Sequence, residues 1–136
     1  MAIYGIGAFH GYDVSEDFKD NNVVGTGWDY NDAPDLHEYF EILESGDIVY
    51  LKAKQPGKPV TVKGVGLISG SDIINGSFGD CDLETGRNVQ WLDKSVFKLK
   101  DYKGKNNVRS NTIYRETHPE VIKIIMAIVE RELKRI

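Results

Sequence analysis

The chain has 136 residues, of which 40% are hydrophobic and 28% are charged, a composition typical of one globular domain over residues 1–136 and unlike that of a disordered chain. No apolar run approaches the length that crosses a bilayer, and the first residues lack the basic and apolar regions of a signal peptide, so we expect a cytoplasmic protein with no membrane partner. The single cysteine, Cys81, excludes an internal disulfide, and its two aspartate neighbours are expected to raise the pKa of its thiol. We assign it no catalytic role.

Charge is divided unevenly between the two halves of the chain. The net charge is −4, but residues 1–50 hold one lysine against eleven acids, whereas residues 51–136 hold sixteen basic residues against ten acids. The basic excess is greatest over residues 94–115, where seven Lys and Arg accompany a single acid. Such an excess predicts a phosphate-facing surface, and the equal alternative is a solvated face neutralised by the acidic half of the chain.

The first half of the chain predicts two short strands and two short helices. Residues 4–12 mix glycines with aromatic rings, which is typical of a strand whose backbone passes close to another group. A helix is predicted over residues 15–21, followed by a short strand over residues 23–28. A capping pattern at Asp35 then predicts a packing helix that ends at about Glu44.

The stretch 46–68 is the centre of the predicted fold. Two runs dense in Val, Ile, Leu, Tyr and Thr flank a Pro/Gly turn at 55–59, which predicts an antiparallel hairpin. Side chains alternate between the two faces of a strand. If Val49 and Leu51 face the core, Lys52 projects towards a pocket or the solvent.

The second half of the chain predicts a loop, two strands and a helix. Residues 69–82 are rich in Gly, Ser, Asp and Asn and are expected to form a long loop, whereas residues 88–93 and 112–115 alternate like strands. A capping box at Thr117 opens a helix over about 118–136. This helix carries a wide apolar stripe, which has two interpretations: burial against the rest of the domain, or docking on a second subunit to form a homo-oligomer.

Local signatures of metal and nucleophile sites are missing from the sequence. His10, His37 and His118 stand apart, with no second histidine or cysteine at ligand spacing. Neither a Gly-x-Ser-x-Gly elbow nor a phosphate-binding Gly-x-x-x-x-Gly-Lys loop is present. We therefore predict a non-catalytic protein without a metal or cofactor, and retain a small enzyme as an alternative.

With metal and nucleophile signatures missing, aromatic and basic residues are the remaining candidates for a functional site. Six aromatic rings lie in the first thirty residues, and further rings lie in the last predicted strands beside the basic stretch. Flat rings stack on bases while Lys and Arg hold phosphates, so this combination favours a nucleotide-binding surface. The alternative is core packing, the more frequent role of aromatic residues in a small β-rich domain.

Five segments in order resemble a PUA-like domain of the EVE type, in particular the amino-terminal domains of restriction systems that target modified DNA. The resemblance covers most of residues 5–115. Its segments are Gly7-Ala8-Phe9 leading through Asp13 and Phe18 to Val24-Gly25-Thr26-Gly27-Trp28, the strand Gly46-Asp47-Ile48-Val49-Tyr50-Leu51-Lys52, Val62-Lys63-Gly64-Val65-Gly66-Leu67-Ile68, Val89-Gln90-Trp91-Leu92 and Thr112-Ile113-Tyr114-Arg115.

The resemblance implies an α+β, mainly β fold: a small bent barrel with two short flanking helices and a carboxyl-terminal helix. It also implies a pocket that holds an extruded modified base between aromatic rings. Carried over by position, the pocket residues are Phe9, His10, Trp28, Lys52 and Trp91.

The leading interpretation is a non-catalytic module that binds a modified or flipped base in nucleic acid. Phe9, Trp28 and Trp91 would stack on or cage the base, and contacts with phosphates are assigned to Lys52, Arg109 and Arg115. One alternative is an oligomeric receptor or sponge for a small, for example cyclic, nucleotide signal in phage or anti-phage defence. The other is a small hydrolase or transferase acting on RNA or nucleotides, with His10 or His37 as the base.

Overall fold

The computed structural model describes residues 2–53, 58–99 and 112–136. Along these residues the elements follow one another in the order β1 (Ile3–Gly7), α1 (Ser15–Asn21), β2 (Val23–Thr26), α2 (Pro34–Glu41), β3 (Ile48–Ala53), β4 (Thr61–Phe78), β5 (Cys81–Asp93), β6 (Phe97–Lys98), β7 (Ile113–Arg115) and α3 (Pro119–Leu133). The predicted class is confirmed: the fold is α+β and mainly β, with two short helices and a carboxyl-terminal helix.

These strands form one sheet in the order β2-β5-β4-β3-β1-β7, with β6 paired to β4. β1 runs parallel to β3, and the other paired strands are antiparallel. Within the described ranges the order is open, because no pairing joins β2 at one edge to β7 at the other. The sheet is therefore not a closed barrel in this part of the chain.

The predicted antiparallel pairing is confirmed, and residues 55–57 of the predicted turn lie outside the described residues. The predicted direction of Lys52 is wrong. β3 pairs antiparallel with β4 from Ile48 to Ala53, and the register shifts between Leu51 and Lys52. Both faces of β3 are covered, since Leu51 packs in one core cluster and Tyr50 in another. Lys52 is consequently only 7% exposed.

The loop predicted over residues 69–82 is wrong, because most of this stretch is paired strand. β4 continues to Phe78, and β5 begins at Cys81 after a turn in which Gly79 has a φ of +64°. The two strands pair with register shifts that absorb the extra residues between Ile68 and Ile73. The polar composition of residues 69–78 misleads because backbone pairing with β5 makes this largely exposed stretch a strand without apolar alternation.

Both predicted capping boxes are wrong in detail. Helix α2 begins at Pro34, and its N-cap, Ala33, makes no side-chain capping bond. Helix α3 is capped by His118 instead of Thr117, since the His118 Nδ1 accepts a hydrogen bond of 3.0 Å from the Glu120 amide. Proline at N1 fixes the first turn of both helices, so a Ser, Thr or Asp cap is not required.

Two apolar clusters form the core of the described residues. The first holds Phe18 of α1 and Phe40 of α2, and the second holds Tyr50, Tyr114 and the buried side of α3. Gly5 allows the Tyr114 ring to cross β1, because a Cβ there would lie 2.4 Å from that ring. The glycine-rich first strand was expected to pass close to another group, and at Gly5 this group is the Tyr114 side chain of the core.

Helix α3 packs on the second cluster through residues spaced four apart. Val121, Ile125 and Val129 are at most 2% exposed, and each contributes about 1.5–3 kcal/mol by burial. Leu133 and Ile136 are 45% and 81% exposed, and the docking of α3 on a second subunit stays a prediction. None of the helices described is both long and apolar enough to cross a membrane.

Candidate functional site

A cavity of about 710 Å³ opens where β1 and β2 end and β5 begins. Residues from four segments line it: 9–12 after β1, 26–29 and Asp32 around the end of β2, Asp80 and Asp82 at the start of β5, and Thr112 before β7. β1 and β2 are separated by three strands in the sheet order, so the sheet must curve strongly to bring their ends to one cavity. The volume lies within the range of about 300–1,000 Å³ that is usual for small-ligand sites.

Three aromatic side chains of the lining are exposed to solvent. Phe9 is 71% exposed, Trp28 is 59% exposed and Tyr12 is 45% exposed. Single exposed aromatic residues are common on protein surfaces, whereas several around one concavity mark an interaction site. Here all three belong to the same cavity.

The segment that carries Phe9 and Tyr12 is a tight loop fixed at both ends. Phe9 pairs with Asp13 through an isolated β-bridge, and Gly11 at the turn has a φ of +81°. The Tyr12 hydroxyl donates a hydrogen bond to the backbone carbonyl of Asp80, which ties this loop to the start of β5. The loop of residues 9–12 and the start of β5, which form two sides of the cavity, are thus joined directly.

Asp13 anchors the same loop to the sheet. Its carboxylate accepts hydrogen bonds from Lys63 of β4 and from the Ser15 amide. Burial alone would raise the pKa of Asp13, but these hydrogen bonds outweigh it and lower the pKa to about 2. The Asp13 carboxyl is therefore ionised throughout the neutral range.

The loop that carries Trp28 is held from helix α2. His37 is buried, its Nε2 lies 2.6 Å from the Trp28 carbonyl oxygen, and its Nδ1 lies 2.5 Å from the Thr85 hydroxyl. A carbonyl can only accept, so Nε2 donates to it. In the neutral ring Nδ1 then accepts from Thr85, so both nitrogens of His37 are used.

Gly27 is a second residue that determines the position of Trp28. A Cβ on Gly27 would lie 2.8 Å from the backbone carbonyl oxygen of Asp82. Only a residue without a side chain allows the end of β2 to approach β5 so closely.

Four aspartates line the cavity beside the rings: Asp29, Asp32, Asp80 and Asp82. All four are exposed, and no Lys or Arg of the described residues forms an ion pair with any of them. The pKa of the Tyr12 hydroxyl is raised, first by desolvation and then by neighbouring groups that include Asp80 and Asp82. The lining is therefore negatively charged.

His10 is a neutral part of the wall. Burial lowers the pKa of its imidazole below the usual value, so the ring carries no charge at neutral pH. Its Nδ1 lies 3.6 Å from the Cys81 sulfur, and its ring meets the Phe18 ring edge-on with centroids 5.7 Å apart. The pKa of Cys81 is raised to about 11, by burial first and by Asp17 and Asp82 next, so the thiol stays protonated.

The structure brings Phe9, His10 and Trp28 together at the cavity, whereas Lys52, Trp91 and Arg115 are not part of its lining. The Lys52 ammonium lies 5.6 Å from the centroid of the Tyr114 ring, and burial lowers its pKa to about 8. The Trp91 indole packs against the core and donates a 3.0 Å hydrogen bond to the Phe18 carbonyl.

Besides Lys52, two further phosphate contacts were predicted, Arg109 and Arg115. Arg115 is exposed at the end of β7, opposite Tyr4 of β1, and is not part of the cavity lining. Arg109 lies outside the described residues.

Sequence reasoning missed Tyr12 and the four aspartates of the lining. Tyr12 belongs to the same aromatic-rich stretch as Phe9, so its composition gave a usable signal. Asp80 and Asp82 lie in the stretch expected to form a loop, a usual place for binding residues, but the sequence singles out neither of them. Across the described ranges, no group of three or more His, Cys, Asp or Glu is placed to hold a metal ion.

A scan against protein-family models finds no family that matches this chain, and a search of curated proteins finds no similar sequence.

Proposed function

We propose that this chain is a non-catalytic binding module of PUA-like, EVE-type architecture that holds one nucleobase of a nucleic acid, modified or flipped out, in the cavity beside Phe9, Tyr12 and Trp28. The observation that carries the proposal is the convergence of these three exposed rings on one cavity. The strong curvature of the sheet, which brings the ends of β1 and β2 together, supports the PUA-like barrel.

The chemistry of the lining suits a base better than an apolar ligand. Stacking of a base on an aromatic side chain is worth about 1–3 kcal/mol and tolerates any base, since every base has a π-face. The carboxylates of Asp29, Asp32, Asp80 and Asp82 can accept hydrogen bonds from exocyclic amino and ring N–H groups of a base. The rings would provide affinity, and the carboxylates would read the base edge.

Phosphates would remain outside this cavity. Four carboxylates oppose a second negative charge, so the base would enter while its backbone stays at the rim. Arg115 is exposed and available for such a contact, and Arg109 keeps the role predicted from the basic stretch. The buried Lys52 is not included among the phosphate contacts.

Titration with short single-stranded oligonucleotides, containing plain or modified bases, tests this function. The wild type should bind at low salt, and Phe9→Ala and Trp28→Ala should each weaken binding by roughly tenfold, the loss of one stacking contact. Val96→Ala is the matched control, because Val96 is 59% exposed like Trp28 but lies outside the cavity lining. Absence of binding to every oligonucleotide at low salt would remove the proposal.

The free-nucleotide alternative uses the same cavity and is less well supported. A small cyclic nucleotide brings its phosphates close to its bases, and the aspartates of the lining oppose them. Binding of a mononucleotide as tightly as an oligonucleotide with the same base would favour this alternative.

The hydrolase alternative also has less support in the geometry. Both ring nitrogens of His37 are engaged in hydrogen bonds, so His37 has no nitrogen available to act as a base. The His10 Nε2 is buried and has no hydrogen-bond partner within the described parts of the chain, and its Nδ1 contacts a protonated thiol. A general base must come within hydrogen-bond distance of the proton that it removes, and the geometry of His10 does not favour this.

A further inference from the structure

We propose, on the basis of the base-binding function above, that the cavity selects a positively charged, N-alkylated base over its neutral parent. The juxtaposition that carries this inference is three exposed aromatic rings with four carboxylates around one cavity. Alkylation of a ring nitrogen places a formal positive charge on the flat ring of the base. A base of this kind is attracted both by the aromatic rings and by the carboxylates of the lining.

The aromatic component favours a cation by the quadrupole of its rings. A cation within about 6 Å of an aromatic face gains about 0.5–2 kcal/mol, with Trp the best of the three ring types. Trp28 and Phe9 are the most exposed of the cavity rings, so their faces are open to a ligand. A cationic base would add this attraction to the stacking that any base obtains.

The carboxylate component favours the same ligand by charge. Asp29 and Asp32 lie on the loop after β2, and Asp80 and Asp82 lie at the start of β5, so negative charge approaches the cavity from two sides. A neutral base would leave these like charges facing one another, whereas a cationic base would offset part of their repulsion.

Other cations fit the lining less well. The carboxylates do not form a group placed to hold a metal ion within residues 2–53, 58–99 and 112–136. A small inorganic cation would also leave the three rings unused. Among the described residues of the lining, His10 is the only basic side chain, and it is kept neutral by burial, so it does not compensate the aspartates.

Nucleosides are the probes that test this inference, since they carry no phosphate. We compare 1-methyladenosine with adenosine and 3-methylcytidine with cytidine by isothermal titration calorimetry at neutral pH, where the alkylated rings are cationic. Each cationic nucleoside should bind about tenfold or more tightly than its parent. The preference should shrink as salt is raised, since the carboxylates are exposed.

A charge-removing variant and a matched control assign the preference to the cavity. Asp32→Asn with Asp80→Asn keeps the size of both side chains and should remove most of the preference. Glu38→Gln with Glu130→Gln removes the same formal charge from exposed positions on α2 and α3 and should leave it unchanged.

The remaining outcomes separate this inference from the function on which it rests. Equal binding of the cationic and parent nucleosides would overturn the charge selection and leave the base-binding function standing. No binding of any nucleoside or oligonucleotide would overturn both. Tetramethylammonium bound as tightly as the cationic nucleosides would also overturn the inference, because the cavity would then read charge without a base.

Discussion

The His37 Nε2 donates a 2.6 Å hydrogen bond to the backbone carbonyl of Trp28, so a buried residue of α2 holds the loop that presents the largest exposed ring of the cavity. The other ring nitrogen is engaged by the Thr85 hydroxyl of β5 at 2.5 Å. His37 thus links helix, loop and sheet, and acts as a positioning residue.

Replacement of this link should weaken both the fold and the site. His37→Phe keeps a ring but removes both nitrogens, which leaves the Trp28 carbonyl and the Thr85 hydroxyl without their partner. We expect a loss of about 1–3 kcal/mol in the free energy of unfolding, measured by urea denaturation. Hydrogen exchange at residues 26–32 should accelerate, whereas Glu38→Gln on the outer side of the same helix should change neither measurement. An unchanged exchange rate in His37→Phe would show that the Trp28 loop is held by other contacts.

Gly27→Ala should distort the cavity through the backbone. The new Cβ would lie 2.8 Å from the Asp82 carbonyl oxygen, so β2 and β5 must separate there, at an expected cost of about 1–3 kcal/mol in the free energy of unfolding. Gly7→Ala is the matched control, because its nearest contacts, 3.5 Å and beyond, are ordinary van der Waals distances. Equal stability of the two variants would contradict the proposed close approach at Gly27.

The Asp13–Lys63 pair should give an acid-dependent contribution to stability. The pKa of Asp13 is about 2 in the folded protein and 3.8 in its ordinary state, so the stabilisation is present above about pH 4 and is lost as the pH falls through 2. Because the carboxylate is half exposed, we expect a contribution of about 1 kcal/mol or less. Asp13→Asn should therefore be less stable than the wild type at neutral pH and equally stable near pH 2, measured by thermal unfolding. A difference that persists unchanged into acid would mean that the charge is not its origin.

Lys52 should give a second pH dependence, in the alkaline range. Burial lowers its pKa from 10.5 to about 8, so between these values the unfolded chain holds a proton that the folded chain has released. The free energy of unfolding of the wild type should consequently rise, relative to that of Lys52→Met, as the pH is raised from about 8 to 10.5. The rise should be on the order of 2 kcal/mol, and below pH 8 the difference should be constant. Parallel curves for the two proteins across this window would contradict the lowered pKa.

Local patterns were sufficient for much of the fold. The β3–β4 pairing and helix α1 follow from runs of strand-forming residues and from local helical signals, which act over a few neighbouring positions. The ribbon of residues 69–78 could not be predicted in this way. Its Gly, Ser, Asp and Asn composition lacks apolar alternation, and it forms strand through pairing with β5.

The candidate site was predictable only in part, for the same reason. Phe9, His10 and Trp28 follow from an ordered set of segments, whereas Asp80 and Asp82 reach the cavity through the unpredicted ribbon. The position of Lys52 could not be read from alternation on one strand. Tertiary packing determines that position, because the register shifts beside Lys52 and both faces of β3 are covered.

The most direct test of the central claim is amide chemical-shift mapping of the ¹⁵N-labelled protein during titration with a base-containing ligand that binds. We predict that the shifts concentrate at the lining residues of the cavity, which are 9–12, 26–29, Asp32, Asp80, Asp82 and Thr112. They should disappear in a Phe9→Ala, Trp28→Ala double variant that remains folded. Shifts confined to α3 or to the far edge of the sheet, with none at the cavity, would contradict the account.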